Sequence, residues 1–248
     1  MFENQHIEMA QFTDTPVLAN VIETSKPKTR RKLPLPLTFE ERAGMGKSEI
    51  RVAATFQEYL DLAHDCDYRV HFRDGYIISF IEMDEKTNTV MGEATITHER
   101  LVMRFGYFLA EIFGLESDFQ ILGSNVKIFI GEQQKGVNPD VAVVKGEAEI
   151  RTYKSNRRTS KGVANPHLIV EVLSRSTRDF DLSEKLTDYK QISSLQQVIF
   201  AEQDSIWAST YIRVSANEWR NIDFTQLEDQ IPVSDGFISL AKIYSKIF

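Results

Sequence analysis

Two carboxylates occupy positions where a folded chain seldom places a charge. Glu171 lies inside Leu168-Ile-Val-Glu-Val-Leu173, a run whose other members all favour burial, so the segment reads as a central strand. Asp140 follows Pro139 at the mouth of a second apolar run, Val141-Ala-Val-Val144. A charge in a buried strand costs several kcal/mol unless it is paired or bound to metal. Two carboxylates about 4 Å apart repel by about 4 kcal/mol at an effective dielectric near 20. A divalent cation removes that penalty, and because Mg²⁺ takes oxygen ligands and keeps several waters, two carboxylates suffice to hold it. The competing readings are a Pro-Asp turn residue at 140 and an edge-strand residue facing solvent at 171.

A third candidate is Lys185. Asp181, Lys185 and Tyr189 are spaced by four and share one helical face, while Leu182 and Leu186 lie on the adjoining face that should pack on a sheet. The bland alternative is a solvated lysine paired with Asp181, worth a few tenths of a kcal/mol. Between the two carboxylate strands, Arg151-Thr-Tyr-Lys-Ser-Asn-Arg-Arg-Thr-Ser-Lys161 carries five cations and no acid. That segment is expected to project near the carboxylates, with Arg157, Arg158 and Lys161 as candidate contacts to an anionic ligand such as a backbone phosphate; a solvated loop is the alternative.

Pro139-Asp140, Glu171-Val-Leu-Ser174, Ser176-Thr177, Asp181, Glu184-Lys185 and Tyr189 occur in one order. Together with the Asp74-Gly75 turn, His98 and the Ile231-Pro232 to Phe248 segment, this constellation resembles the restriction-endonuclease family often called Uma-two, within the PD-(D/E)XK nuclease superfamily. The resemblance extends over roughly residues 50 to 248. It implies an α/β fold with a restriction-endonuclease-like αβββαβ core, a mixed β-sheet flanked by helices, here with extra N-terminal and C-terminal β-hairpins. It also implies metal-dependent hydrolysis of DNA phosphodiester bonds. Asp140 and Glu171 would hold Mg²⁺, with Mn²⁺ as substitute. The usual superfamily lysine, two residues after the acidic one, is replaced here by Leu173. In the resembling family a lysine on the following helix takes its place, and Lys185 matches that position. Lys185 would then orient or deprotonate the attacking water. His98 matches a family position near the start of the first long helix and is carried as an accessory residue. Asp181 and Tyr189 read as structural supports, Asp181 through the helix dipole. A non-enzymatic nucleic-acid-binding or interaction module on the same fold is the rival reading.

Elements that would position these groups are legible in outline. Thr55-Phe-Gln-Glu58 fits a capping box, so order is expected to begin near Thr55 with a helix to about His64. Strand-like runs follow at 68–72 and 76–83, joined by Asp74-Gly75, a hairpin signal. Apolar residues at Leu101, Val102, Phe105, Phe108, Leu109, Ile112 and Phe113 predict a one-faced helix from His98 to Phe113, capped by Thr97 and stopped by Gly114. Strands are expected at 126–130, 141–144 and 168–173, then a helix over 179–192 and a strand at 197–201. A hairpin at 207–214 and 218–224 and a closing helix at 240–247 complete the chain. Three strands without an intervening helix, then a helical crossover, imply a mixed sheet.

Composition narrows the class. The 248 residues carry 29 Lys plus Arg against 36 Asp plus Glu, a net charge of −7, so any nucleic-acid contact must rest on local basic patches. Hydrophobic residues make up 42%, which excludes an intrinsically disordered chain. Residues 1–50 differ from the rest: they hold four of the seven prolines, and their seven acids cancel seven cations. They read as an extended arm with a basic segment, Lys26-Pro-Lys-Thr-Arg-Arg-Lys32, ahead of one nuclease-like domain over 51–248. The single cysteine, Cys66, excludes an intrachain disulfide, and no apolar run approaches a membrane span. A cytoplasmic protein is expected, with a homodimer as a possible partner arrangement because one active site cannot readily cut both DNA strands. Phosphate-loop, dinucleotide and structural-zinc motifs are absent.

Overall fold

The computed structural model describes residues 21–22, 32–84, 89–91, 94–131, 135–155 and 157–248. The basic segment expected at 26–32 lies outside them except for Lys32, which is exposed. In chain order the first half contains β1 (Val21–Ile22), α1 (Phe39–Ala43), β2 (Glu49–Ala53), α2 (Phe56–Asp65), β3 (His71–Arg73), β4 (Tyr76–Phe80), β5 (Glu82–Asp84), β6 (Thr89–Met91) and α3 (Ile96–Phe113). The strands β7 (Phe119–Gly123), β8 (Ile128–Ile130), β9 (Lys135–Val137), β10 (Val141–Lys145), β11 (Ile150–Lys154), β12 (Thr159–Val163) and β13 (Pro166–Leu173) follow. The last part comprises α4 (Arg178–Phe180), a π-helical segment (Asp181–Lys185), α5 (Leu186–Tyr189), β14 (Gln197–Glu202), β15 (Ala208–Ser215), β16 (Glu218–Phe224), β17 (Gln230–Val233), β18 (Gly236–Ser239) and α6 (Leu240–Ile243).

Two mixed sheets result. A six-stranded sheet has the order β16-β15-β14-β13-β10-β7, and an eight-stranded one the order β1-β11-β12-β8-β9-β3-β4-β2. Within the first, the sequence α3-β7-β10-β13-helix-β14 is the αβββαβ core: β10 pairs antiparallel with both β7 and β13, and β13 pairs parallel with β14 across the helical crossover. The apolar stripe of α3 (Leu101, Phe105, Leu109) covers one face of this sheet with Val141, Val143, Val170 and Val172. The 178–189 helix covers the other, where Leu186 and Tyr189 meet Ala142, Ile169 and Leu173. Each fully buried aliphatic chain in these layers contributes about 1.5–3 kcal/mol.

Local signals act as read in several places. Thr55 Oγ1 accepts the Glu58 N–H at 3.1 Å and Glu58 Oε2 accepts the Thr55 N–H at 2.7 Å, closing the capping box of α2. Asp74 and Gly75 both take positive φ, 48° and 82°, as the tight β3–β4 hairpin requires. Gly114 stops α3 at φ 77°.

Other expectations are corrected. The first core strand is β7, not the run at 126–130, whose ordered part (β8) belongs to the eight-stranded sheet. β7 has only half-buried and exposed positions, and Gln120 and Gly123 interrupt its apolar residues, so it carries no dense apolar run. Order begins well before Thr55. β2 pairs with β4, and Arg42 is fully buried, donating to the carbonyls of Lys47, Ser48 and Ser79 and to Ser79 Oγ. An arginine satisfied by the loop that follows it and by a strand 37 residues on leaves no periodic trace in the sequence. α3 is capped by Thr95 rather than Thr97, through the His98 N–H at 3.0 Å. The closing helix ends at Ile243 and is preceded by an additional hairpin, β17–β18.

Candidate active site

The antiparallel register of β10 and β13 places Val141 opposite Val170 and Ala142 opposite Ile169. Continuing that register by one residue sets Asp140 opposite Glu171, so both side chains leave the same face of the sheet, and directly opposed pairs bring their Cβ atoms to about 4.5–5.5 Å. Both are buried, at 4% and 3% exposure, so neither is a solvent-facing edge residue. The crossover helix lies over that face and delivers Lys185. Its Nζ stands 2.7 Å from Glu171 Oε1 and 3.1 Å from Asp181 Oδ1. Tyr189, one turn further on, donates its hydroxyl to the same Glu171 Oε1.

The helix is wound to suit this arrangement. Over 181–185 it is π-helical, with the Leu186 N–H reaching back to the Asp181 carbonyl. Such wider turns concentrate at functional sites. Asp181, Lys185 and Tyr189 are all buried on the inner face. Asp181 therefore acts by pairing with Lys185 inside the site rather than through a helix dipole, and Lys185 is no solvated surface lysine.

His98, in the first turn of α3, reaches the other carboxylate: Nε2 lies 3.3 Å from Asp140 Oδ2. That same oxygen accepts the Val172 N–H at 2.8 Å, and Arg69 stands 3.8 Å from Oδ1. The structure thus gathers Asp140, Glu171, Lys185 and His98 as the sequence suggested. It does not gather Arg157, Arg158 and Lys161 with them. Arg157 and Arg158 pair with Asp65 at the end of α2, at 2.5 and 3.5 Å, and Lys161 lies on β12 of the other sheet.

Charge balance dominates the electrostatics. Three buried carboxylates face one ammonium. Burial pushes Glu171 up; Lys185 opposes this, but Asp181 and Asp140 add to it, and the carboxyl is pushed up to about 8. Asp181 is raised for the same reason, burial first, despite its bond to Lys185. Burial would lower Lys185, yet the surrounding carboxylates raise it above the ordinary lysine range. Burial would likewise raise Asp140, but the His98 bond and charge, Lys185 and the Val172 N–H outweigh it and hold the group low. His98 is raised against its burial by Asp140 and Glu99.

The signs give a testable pH profile. Raised groups stabilise the fold fully below their unfolded values and lose that contribution as pH climbs through the folded ones. For Glu171 the loss runs from the ordinary glutamate range up to about pH 8, and for His98 it begins at the ordinary imidazole range and continues above it. Asp140 acts oppositely, losing its contribution only on acidification below the ordinary carboxylate range. Thermal melts of metal-free protein are expected to fall as pH rises over that window, with a shallower slope in Glu171→Gln. An identical slope in the variant contradicts the assignment.

Several residues at the site were not anticipated. His71 is buried on β3, with its Nδ1 unpaired; burial, then Lys185, Arg69 and Lys127, push it far below the usual imidazole range, so the ring is neutral. The signal for it was the same as for Glu171, a polar residue between two strand apolars, Val70 and Phe72. An ionic network between the helix and β2, β3 and β9, buried at Lys135 and Asp188, was also missed. Arg51 is bidentate to Glu184 at 2.9 and 2.5 Å, and Arg73 reaches Glu184 at 2.7 Å and Asp188 at 2.8 Å. Lys135 Nζ donates to Asp188 at 2.5 Å. These bonds tie the Lys185 helix to β2, β3 and β9. Asp188→Asn is expected to lower stability by about 1.5–3 kcal/mol, the worth of hydrogen bonds to charged groups. A chemical-denaturation midpoint equal to wild type would show that the network contributes nothing.

Among the described residues no three His, Cys, Asp or Glu side chains converge as a ready-made metal cage. The donor set nonetheless suits a hard cation: all-oxygen, acidic and short of positive charge. The hydrogen bonds and ion pairs of Glu171 fall on Oε1, and those of Asp140 chiefly on Oδ2. A hard cation that keeps several waters needs no more than such a carboxylate pair.

Comparison with known proteins agrees with this geometry. A crystal structure from Anabaena variabilis, described as "a putative nuclease belonging to DUF820", superposes with a TM-score of 0.56 at 14% identity, covering 78% of this chain and 99% of that one. At that identity the likeness establishes the restriction-endonuclease-like fold. "Uncharacterized protein sll1609" of Synechocystis sp. is 30% identical over 141 residues, 54% of this chain and 76% of its own length. A second Synechocystis protein, "Uncharacterized protein slr1290", is 27% identical over 124 residues, 50% of this chain and 61% of its own length. The family model Uma2, described as "Putative restriction endonuclease", matches residues 56–242, a span that contains every carboxylate, lysine and histidine of the site. The chain belongs to the Uma2 family and has its nuclease-like fold.

Proposed function

We propose that the chain is a metal-dependent endonuclease that hydrolyses DNA phosphodiester bonds. The observation that carries this reading is the opposition of Asp140 and Glu171 across β10 and β13 with Lys185 Nζ 2.7 Å from Glu171. Asp140 and Glu171 would hold Mg²⁺, or Mn²⁺ in its place, through oxygens not engaged by Val172 and Lys185. The bound ion would polarise the scissile phosphate and lower the pKa of a water. Lys185, kept protonated by three carboxylates, would offer a donor to the attacking water or to the charge that develops on the phosphate. Tyr189 and Asp181 fix the lysine, and His98 fixes Asp140 by a bond to the oxygen that also takes the Val172 N–H. Cleavage of both strands would call for two such sites, which a homodimer supplies. Cysteine usage fits the cytoplasm.

A second reading, a silent nucleic-acid-binding module, is favoured by one observation: Lys185 already neutralises part of the cluster by bridging Glu171 and Asp181. Thermal unfolding against metal concentration separates the two. A site that binds only the folded chain stabilises it by about 2.7 kcal/mol at one hundred times its Kd. Wild type is expected to melt higher in Mg²⁺ or Mn²⁺ and to return to its original midpoint with EDTA, while Asp140→Asn stays unmoved. A wild-type melt insensitive to both ions favours the binding module.

A further inference from the structure

Lys127 stands just before β8, facing the side of the molecule where α2 meets the β11–β12 turn. Its Nζ lies 4.6 Å from the centroid of the Tyr59 ring. Among the described residues no carboxylate lies against it, and loss of water alone pushes the amine down to about 8. A half-buried ammonium without an acidic partner is costly, and evolution seldom leaves one without a use. Lys127 opens on a cavity of about 330 Å³ that also receives His64, Ser155, Arg158, Ser160 and Lys161.

The chemistry of this lining is one-sided. Lys127, Arg158 and Lys161 bring three cations. Ser155 Oγ already accepts the backbone N–H groups of Arg157 and Arg158, at 3.2 and 3.0 Å, so its own hydrogen remains to be donated. Asp65, the acid beside the cavity, is shared by Arg157 at 2.5 Å and Arg158 at 3.5 Å and forms no ion pair with Lys127 or Lys161, so three cations face one already engaged carboxylate. Cations and hydroxyl donors around a concave space fit a tetrahedral oxyanion. The volume exceeds a bare phosphate and leaves room for an attached sugar. The cavity is not part of the carboxylate site: α2, the β11–β12 segment and Lys127 line it, and Asp140, Glu171, Lys185 and His98 do not.

We propose that Lys127, with Lys161, Arg158 and the hydroxyls of Ser155 and Ser160, forms a phosphate-binding pocket that takes a phosphate ester, distinct from the site of the carboxylate pair. It binds whether or not that pair cleaves. Two sources share this chemistry, a phosphate of a nucleic-acid strand and a free nucleotide or inorganic phosphate.

The test is binding and not cleavage. The full chain is amine-labelled by reductive methylation in EDTA and each lysine is followed by mass spectrometry. The probes are inorganic phosphate, a deoxynucleoside 5′-monophosphate and a twelve-residue oligonucleotide with or without a 5′-phosphate. At saturating probe, Lys127 labelling is expected to slow at least about five-fold while Lys242 is unaffected, because an anion holds the amine protonated and covered. Calorimetric affinity should weaken at least about ten-fold in Lys127→Met and in Lys161→Ala, but not in Lys242→Ala. Protection by phosphate or the mononucleotide identifies a small-molecule source, and protection by the oligonucleotide alone identifies a strand. Lys127 labelling unchanged by every probe overturns the pocket, as does a loss of affinity equal in Lys242→Ala. Should Lys127→Met fail to fold, wild-type labelling and Lys161→Ala still decide.

Discussion

Lys185→Met is expected to destabilise the protein by about 3–5 kcal/mol, the cost of removing one partner from a buried ionic cluster. Methionine fills similar space, so lost packing contributes little. What remains is Asp140, Glu171 and Asp181 facing one another without an ammonium, at 3–4% exposure. For a chain of this size the loss corresponds to a melting shift of roughly 6–20 °C. Adding Glu171→Gln removes one of the stranded acids while leaving an acceptor for Tyr189, so at alkaline pH, where Glu171 would otherwise ionise, the double variant should recover part of the loss. Chemical denaturation of the two variants checks both statements. A single-variant loss below about 1 kcal/mol, or a double variant no better than the single, would mean that Lys185 is not the counter-ion of the cluster.

A second large effect is expected on activity. Asp140→Asn and Glu171→Gln keep shape and hydrogen-bonding capacity but each withdraws a charge from the pair that would hold the ion. Metal polarisation of a phosphoryl oxygen is worth several kcal/mol, so each change should slow plasmid cleavage by about 10³-fold or more. His98→Gln should cost far less, because the Val172 N–H still orients Asp140 at 2.8 Å. Initial rates under metal saturation, with melts to confirm folding, give the comparison. If Asp140→Asn retained cleavage within ten-fold of wild type, Asp140 would lose its role as a ligand. If His98→Gln fell as far as Asp140→Asn, His98 would be more than a positioning residue.

The parts of this site that the sequence disclosed are those in which a charge interrupts a strong local pattern. Glu171 breaks an apolar run and Asp140 heads one, so burial made both conspicuous. Four-residue spacing put Lys185 on one face with Asp181 and Tyr189, but only the family resemblance singled it out over a solvated lysine; the shared face survives the π-helical turn, since all three are buried. The α3 stripe and the α2 capping box were legible for the same reason, since their determinants lie within a few residues.

What stayed hidden depends on long-range contact. Arg42 bonds Ser79, 37 residues away, besides its nearer partners, and Arg51, Arg73 and Lys135 reach Glu184 and Asp188 across 53 to 133 residues. β7 and β8 were exchanged because the short apolar run sits in β8, where the strand is buried on both faces, whereas β7 is a half-exposed edge of the core sheet. The basic loop at 151–161 was placed beside the carboxylates by its position between their strands. It instead folds as β11–β12 into the second sheet and turns Arg157 and Arg158 toward α2. Chain order alone does not say which of two sheets a hairpin joins.

The central claim is that the Asp140–Glu171 pair with Lys185 performs metal-dependent phosphodiester hydrolysis. The most direct measurement is the conversion of supercoiled plasmid by wild-type protein in Mg²⁺, in Mn²⁺ and in EDTA. Nicked and linear product with either ion and none in EDTA is the predicted result. Intact plasmid under all three conditions, from protein that is folded and binds the same DNA, would contradict it.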